Sequence, residues 1–298
     1  MNTSLNACKI IVPVDFSEFS VKAFVVANDL AQLFKGRVTP FHSYDLSSNL
    51  DGFHYQAKDF RVDGDLLTTH DELEKHLMDY AADYIDYSIL DPAVAERNPR
   101  VSEAIFEAAE TFDLIVMSSH GRTGFKRMLM GSVAEKVLHS ARHPVIIAGR
   151  ETGFSPVEKI VYTTDFSENS YAALPYVAEL AGVTGAAVDV FHAICGDFSS
   201  VEYLKKITQE REEQLQILVR ERLAGLARVN CVVVPGEDSA HHAIRKYYRD
   251  KHYNVLIMAS CGRSGHDFHA VGSTTTAMVR STNATIMVVK PDMGLPEA

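Results

Sequence analysis

Short, solid runs of apolar residues alternate along this chain with longer stretches in which apolar positions recur every three or four residues. The solid runs fall at residues 10–14, 114–117, 145–148, 188–191, 232–234, 255–258 and 286–289. Runs of this length predict strands buried on both faces of a sheet. Between them, Leu73, Leu77, Tyr80, Tyr84 and Tyr87 keep helical spacing, as Leu215, Leu218, Arg222 and Leu226 roughly do further on. Such stripes predict helices packing an apolar face on a core. Helix between strand, repeated, predicts parallel βαβ units and doubly wound sheets.

The pattern also occurs twice. Lys9-Ile-Ile-Val-Pro-Val-Asp15-Phe-Ser-Glu18 returns as Lys159-Ile-Val-Tyr-Thr-Thr-Asp165-Phe-Ser-Glu168, an offset of 150, and Phe41-His42 returns as Phe191-His192. Met117-Ser-Ser-His120-Gly121-Arg122-Thr-Gly124 returns as Met258-Ala-Ser-Cys261-Gly262-Arg263-Ser-Gly265 at an offset of 141, as Gly131-Ser132 does in Gly272-Ser273. A period near 150 is much too long for a solenoid repeat, so each copy reads as a whole domain. Residues 149–156 hold two glycines and a proline without apolar periodicity and read as the linker. The expected domains are 1–150 and 156–298.

Composition narrows the function. With 46% hydrophobic and 23% charged residues in 298, the chain has the balance of a soluble globular protein. The 29 basic against 39 acidic residues give a net charge of −10, which opposes broad binding to nucleic acid or anionic membranes. No apolar run approaches the roughly 18 residues of a membrane helix, and residues 1–8 lack the charged-then-apolar pattern of an export signal. Four scattered cysteines without a C-x-x-C pair read as mostly buried thiols. A cytoplasmic location is the expectation.

In open parallel sheets, ligands sit beyond the C-terminal strand ends, where strand order reverses. Asp15 and Asp165 follow the first strand of each copy, Ser43 and Ala193 the second, and a glycine-rich run the fourth. In that run Gly121 precedes nine residues and then Gly131-Ser132-Val133-Ala134-Glu135, in which Ser132 and Glu135 have capping-box spacing. A glycine loop feeding a helix N-terminus suits a phosphate or another anion. It equally suits a tight strand-to-helix turn. Arg122, Lys126 and Arg127 make the first loop basic, whereas Asp267 and Phe268 stand in the second, which predicts a weaker phosphate site there. Neither a P-loop nor a G-x-G-x-x-G pattern occurs. Ser17 and Ser167 are placed to cap the following helices, so each aspartate either supports that cap or meets a ligand edge. His42 and His192 read as structural. His241 and His242 are adjacent and should point to different helix faces, and Cys261 with His266 and His269 is the one compact grouping of metal-ligating types; no metal site is expected. No G-x-S-x-G elbow is present, and no paired nucleophile and base stand out.

These residues, from Pro13-Val-Asp-Phe-Ser-Glu18 through the long Gly121 to Glu135 segment to His143-Pro144-Val145, resemble a universal stress protein domain, and the second copy resembles it too. The resemblance implies a tandem protein of two Rossmann-like domains related to the adenine nucleotide α-hydrolase group. Each would hold a five-stranded parallel sheet with helices on both faces, the domains pairing along their last strands. It further implies ATP, with Mg2+, bound through a motif of Gly, two residues, Gly, nine residues, Gly and Ser or Thr. Both copies keep the spacing and the final Gly-Ser, while Ser118 and Ala259 replace the first glycine. Carried over, adenine contacts fall at Pro13, Val14, Asp15 and Ser43. Phosphate contacts fall at Gly121, Gly131, Ser132 and Val133, with Met117, Ser118, His120 and Arg122 beside them. The second set is Thr163, Thr164, Asp165, Ala193, Gly262, Gly272, Ser273 and Thr274.

The resulting expectation is a non-enzymatic stress-response protein that binds adenine nucleotide in at least the N-terminal domain. Two other readings stay open: a nucleotide-independent interaction protein with degenerate sites, favoured by Ser118, Ala259 and Asp267, and a slow ATPase. The adenylyl-transfer motifs H-x-G-H and S-G-G-x-D-S are absent. Whether chains pair further as a homodimer, and which protein partner they meet, is left open by the sequence.

Overall fold

The computed structural model describes residues 4–44, 61–62, 65–66, 70–119, 130–149, 154–198, 200–251, 253–262 and 271–291. The first copy runs β1 (Lys9–Pro13), α1 (Glu18–Phe34), β2 (Arg37–Tyr44), a two-stranded ladder of β3 (Arg61–Val62) and β4 (Asp65–Leu66), then α2 (His70–Ala82) and β5 (Val94–Arg97). It continues through α3 (Val101–Ala109), β6 (Leu114–Ser118), α4 (Ser132–Ser140) and β7 (Val145–Ala148). The second runs β8 (Lys159–Thr163), α5 (Glu168–Tyr171), α6 (Leu174–Thr184), β9 (Ala187–Cys195), α7 (Val201–Arg222) and β10 (Val229–Glu237). It closes with α8 (Ala240–Lys251), β11 (Val255–Ala259), α9 (Ser273–Ser281) and β12 (Thr285–Val289).

Ten strands form one sheet in the order β10-β9-β8-β11-β12-β7-β6-β1-β2-β5. Each copy contributes five mutually parallel strands, as the alternating pattern predicts, and the halves meet where β7 and β12 pair antiparallel, Val145 opposite Val288 and Ile147 opposite Ile286. Alternation of side chains along the strands then builds two cores, one on each face. Ile10, Val12, Ile146, Ile257 and Met287 turn to the face covered by α1, α2, α6 and α7, whereas Ile11, Ile115, Ile147, Leu256 and Ile286 turn to the face covered by α3, α4, α8 and α9. Both cores run across the domain junction.

The junction is closely fitted. Gly149 donates its N–H to Thr285 Oγ1 at 2.9 Å, and a Cβ there would lie 2.4 Å from the Asn283 carbonyl oxygen, so only glycine fits without displacing backbone. Arg280 pairs with Glu135 across the junction, and Lys290 Nζ donates to the His139 carbonyl at 3.0 Å.

Several sequence expectations are corrected. The helix carrying Leu73, Leu77 and Tyr80 ends at Ala82; Tyr84 packs on Phe24 from beyond it, and Tyr87, in a 3-10 turn, is 78% exposed. The helix carrying Leu215 and Leu218 ends at Arg222, so Leu226 belongs to the following turn. Residues 232–234 are only partly buried because β10 is a sheet edge. Of the four free cysteines, Cys8 and Cys261 are buried, and Cys195 is exposed.

Burial pushes the Lys290 amine down to about 8. The unfolded chain holds that proton up to the ordinary lysine range, so protonation opposes folding below pH 8 and the opposition fades as pH rises toward 10.5. The parent protein should therefore gain stability over this range relative to a Lys290→Met variant. The Tm difference, variant minus parent, is expected to fall by a few degrees between pH 7 and pH 10 in calorimetry; a constant difference would contradict it.

Candidate functional site

In each half the chain leaves the first strand toward one neighbour, β2 or β9, and later returns on the other side, as β6 or β11. The reversal point lies between β1 and β6, and between β8 and β11, and a cavity opens at the C-terminal strand ends at each. The two have volumes of about 300 and 250 Å³, at the small end of ligand sites.

Matching bonds shape both floors. Val14 N–H donates to the Phe41 carbonyl at 2.8 Å, and Thr164 N–H to Phe191 at 3.0 Å. The buried rings of His42 and His192 then donate from Nδ1 to the Val14 and Thr164 carbonyls at 2.7 and 2.8 Å. A carbonyl only accepts, so Nδ1 carries the proton in both rings. Phe16 and Phe166 follow with φ of 57° and 62°, left-handed conformations that cost a bulky residue about 1–2 kcal/mol. Their rings lie against His42 and His192, at centroid distances of 4.9 and 4.5 Å. The same strained turn thus appears twice, clamped each time by the repeat-equivalent histidine.

The aspartates support those turns. Asp15 Oδ1 accepts from Ser17 N–H at 3.1 Å and from Ser20 Oγ at 2.7 Å; Asp165 Oδ1 accepts from Ser167 N–H at 3.0 Å and from its Oγ at 2.5 Å. Ser167 caps its helix by accepting from Ser170 N–H, but Ser17, although at the N-cap of α1, makes no capping bond. The other oxygen of Asp165 faces Gly262 so closely that a Cβ on Gly262 would fall 2.1 Å from it.

The opposite wall is a helix N-terminus. Gly131 N–H donates to the Ser119 carbonyl at 2.8 Å and Gly272 N–H to Ser260 at 2.7 Å, tying off the base of each glycine loop. The glycines are the N-caps, so Ser132 is the first helical residue and not a cap, and Glu135 turns to Arg280 instead of closing a capping box. With the Gly131 amide committed, the first-turn amides lacking an intrahelical acceptor are those of Ser132, Val133 and Ala134, and likewise of Ser273, Thr274 and Thr275.

Of the residues expected at the first site, Pro13, Val14, Asp15, Met117, Ser118, Gly131, Ser132 and Val133 line one cavity. Ser43 does not; its hydroxyl donates to the Asn98 carbonyl at 2.6 Å, toward β5. His120, Gly121 and Arg122 lie outside the described residues. All eight expected second-site residues, Thr163, Thr164, Asp165, Ala193, Gly262, Gly272, Ser273 and Thr274, line the other cavity. Cys261 lines it too, while His266 and His269 lie outside the described residues. Sequence reasoning missed the apolar wall, Val101 and Ile105 of α3 and their counterparts Ala240 and Ile244 of α8. The Ala-Ile pairs at 104–105 and 243–244 were its available signal. It also missed the strained phenylalanines, which no pattern announces.

A twofold-repeated α/β sheet with a cavity at each reversal point defines the class: a tandem Rossmann-like protein. The chain matches the universal stress protein family over residues 8–149 and again over 156–290, and it belongs to that family. A universal stress protein of Mycolicibacterium smegmatis is 23% identical over 199 residues, 65% of this chain and 67% of that one. The solved structure of a universal stress protein from Archaeoglobus fulgidus superposes with a TM-score of 0.68 at 21% identity, covering 97% of this chain and 98% of that one. A universal stress protein solved in complex with cAMP aligns over 46% of this chain and 98% of its own, at 19% identity and a TM-score of 0.34. Among the described residues, no helix is long and apolar enough to cross a membrane.

His192→Phe keeps a ring against Phe166 but removes the donor to the Thr164 carbonyl. Leaving that buried carbonyl unpaired should lower unfolding free energy by about 1–3 kcal/mol in denaturant titration; an unchanged midpoint would show that the clamp contributes nothing.

Proposed function

We propose that this chain is a stress-response protein that binds an adenine nucleotide, ATP with Mg2+, in at least the N-terminal cavity, and acts as a regulatory binding module. The observation that carries this reading is the pairing, within one small cavity, of an apolar wall with a helix N-terminus. Val101, Ile105 and Met117 offer a surface to a flat ring, and the first turn of α4 offers amides and partial positive charge to phosphate.

The residues fit the nucleotide. Pro13, Val14 and Asp15 would meet the base, and Ser132 and Val133 the phosphates, with Gly131 leaving the approach open. In the second half Thr163, Thr164, Asp165, Ala193 and Gly262 would hold the base side, and Gly272, Ser273 and Thr274 the phosphate side. Magnesium would be held through phosphate oxygens and water, as is usual for this ion. ATP supplies negative charge to a loop whose N-terminal copy is basic at Arg122, Lys126 and Arg127. Occupancy would shift the population of loop arrangements that a partner protein meets, which is how binding alone can signal.

A second reading, a nucleotide-independent interaction protein, is favoured by Ser118 and Ala259, which stand where the ATP-binding motif of the family carries glycine. Gly131→Val separates the two. The backbone there, φ −65° and ψ 147°, accommodates valine, so the variant should fold with a Tm within a few degrees of the parent. In titration calorimetry with ATP and magnesium it should lose the N-terminal binding event, its affinity falling at least tenfold. Unchanged ATP binding in the folded variant would overturn the site.

A further inference from the structure

The C-terminal half carries an open groove of about 500 Å³ between α8 and α9, lined by His241, Arg245, Ser273, Thr276, Arg280 and Ser281. It meets the second cavity at Ser273, which lines both. Neighbouring stripes of α8 serve the two: Ala240 and Ile244 face the cavity, and His241 and Arg245, one position on, face the groove. On α9 the stripe from Ser273 through Thr276 to Arg280 follows the groove for about 10 Å at helical rise.

The groove carries the guanidinium groups of Arg245 and Arg280 beside the His241 ring and is edged with hydroxyls. Among the described residues no carboxylate lines it; Glu135 of the other domain pairs with Arg280, and Glu237 sits 3.8 Å from Lys246. Ser281 Oγ is buried at its edge without a hydrogen-bond partner. The His241 and His242 rings, expected on different faces, lie 4.3 Å apart at the first turn of α8, where no preceding turn separates them. Burial, then repulsion from His242 and Arg245, holds the His241 pKa below its usual value, so the ring offers a hydrogen bond more than a fixed charge. The equivalent helix positions of the N-terminal half differ. There Val101 and Ile105 face the cavity as Ala240 and Ile244 do, so Ser102 and Phe106 take the places of His241 and Arg245; Ser102 is buried and Phe106 packs into the core.

We infer that this groove is a polyphosphate channel, in which the second and third phosphates of a nucleotide seated in the C-terminal cavity rest on His241, Arg245 and Arg280. The inference rests on the nucleotide reading for that cavity. The groove adds positive charge beside a glycine loop that keeps Arg263 but has Asp267 and Phe268 in place of the first copy's basic pair. The two halves then select differently: the second favours ligands with longer phosphate chains.

The test is titration calorimetry of the full chain and a His241→Ala, Arg245→Ala double variant with adenosine monophosphate, ATP and inorganic tripolyphosphate. Both side chains are on the surface side of α8, so folding should be preserved, with an unchanged Tm as the check. The expected result is that the C-terminal binding event for ATP, and the binding of tripolyphosphate that depends on this groove, weaken at least tenfold in the variant, while the N-terminal ATP event and monophosphate binding are unchanged. Equal loss for monophosphate and ATP, or no loss for either polyphosphate, would overturn the channel. Tripolyphosphate binding that depends on the two residues, in a protein that binds no adenine compound, would keep the groove as an anion site and discard the nucleotide reading.

Discussion

The antiparallel pairing of β7 with β12 is the constraint on which the rest of the structure depends. Each half alone would present the edge of a five-stranded sheet, with the backbone groups of a buried, largely apolar strand unpaired, an arrangement that proteins avoid or cover. Joined, the edges vanish into one ten-stranded sheet, and the cores on its two faces become continuous across both domains. Gly149 lies so close to the turn before β12 that only glycine fits there. The pairing also places α4 beside α9, bringing Glu135 to Arg280 and His139 to Lys290.

Within this frame the halves share a device and differ in its surroundings. The shared device is the histidine clamp: a ring from the second strand holds the carbonyl beyond the first, and a phenylalanine forced into a left-handed conformation packs against it at a tilt. Such strain persists only where neighbouring contacts over-determine it, and it concentrates at functional turns. The difference lies in where positive charge is kept. The N-terminal glycine loop carries Arg122, Lys126 and Arg127, whereas the C-terminal loop keeps Arg263 alone of these and Arg245 and Arg280 stand on the helices of the adjoining groove. The acidic net charge of the chain makes either local concentration of cations more selective for anions against the general surface.

Much of this was legible in the residues. Solid apolar runs such as 114–117 and 255–258 marked central strands because both sheet faces are covered there, and the repeat disclosed two copies and the residues equivalent between them. That the domains pair along their last strands was implied only by resemblance, and the antiparallel direction not at all, since pairing between distant strands leaves no local pattern. The misreadings have physical causes. Tyr87 kept helical spacing beyond the point where the helix had already ended, and Ser132 had capping-box spacing although the glycine before it is the cap. Ser43 sits at the expected strand end, but the pleat and the neighbouring β5 direct its hydroxyl to Asn98. The groove between α8 and α9 draws on two helices about thirty residues apart, a proximity that only the fold reveals.

The central claim is that the cavities at the strand ends hold adenine nucleotide. It is tested most directly by denaturing protein purified without added nucleotide and identifying and counting any released small molecule by mass spectrometry. The account predicts about one adenine nucleotide per chain if the N-terminal cavity alone retains its ligand, and about two if both do. No released nucleotide, together with a Tm that ignores millimolar ATP and magnesium, would contradict it.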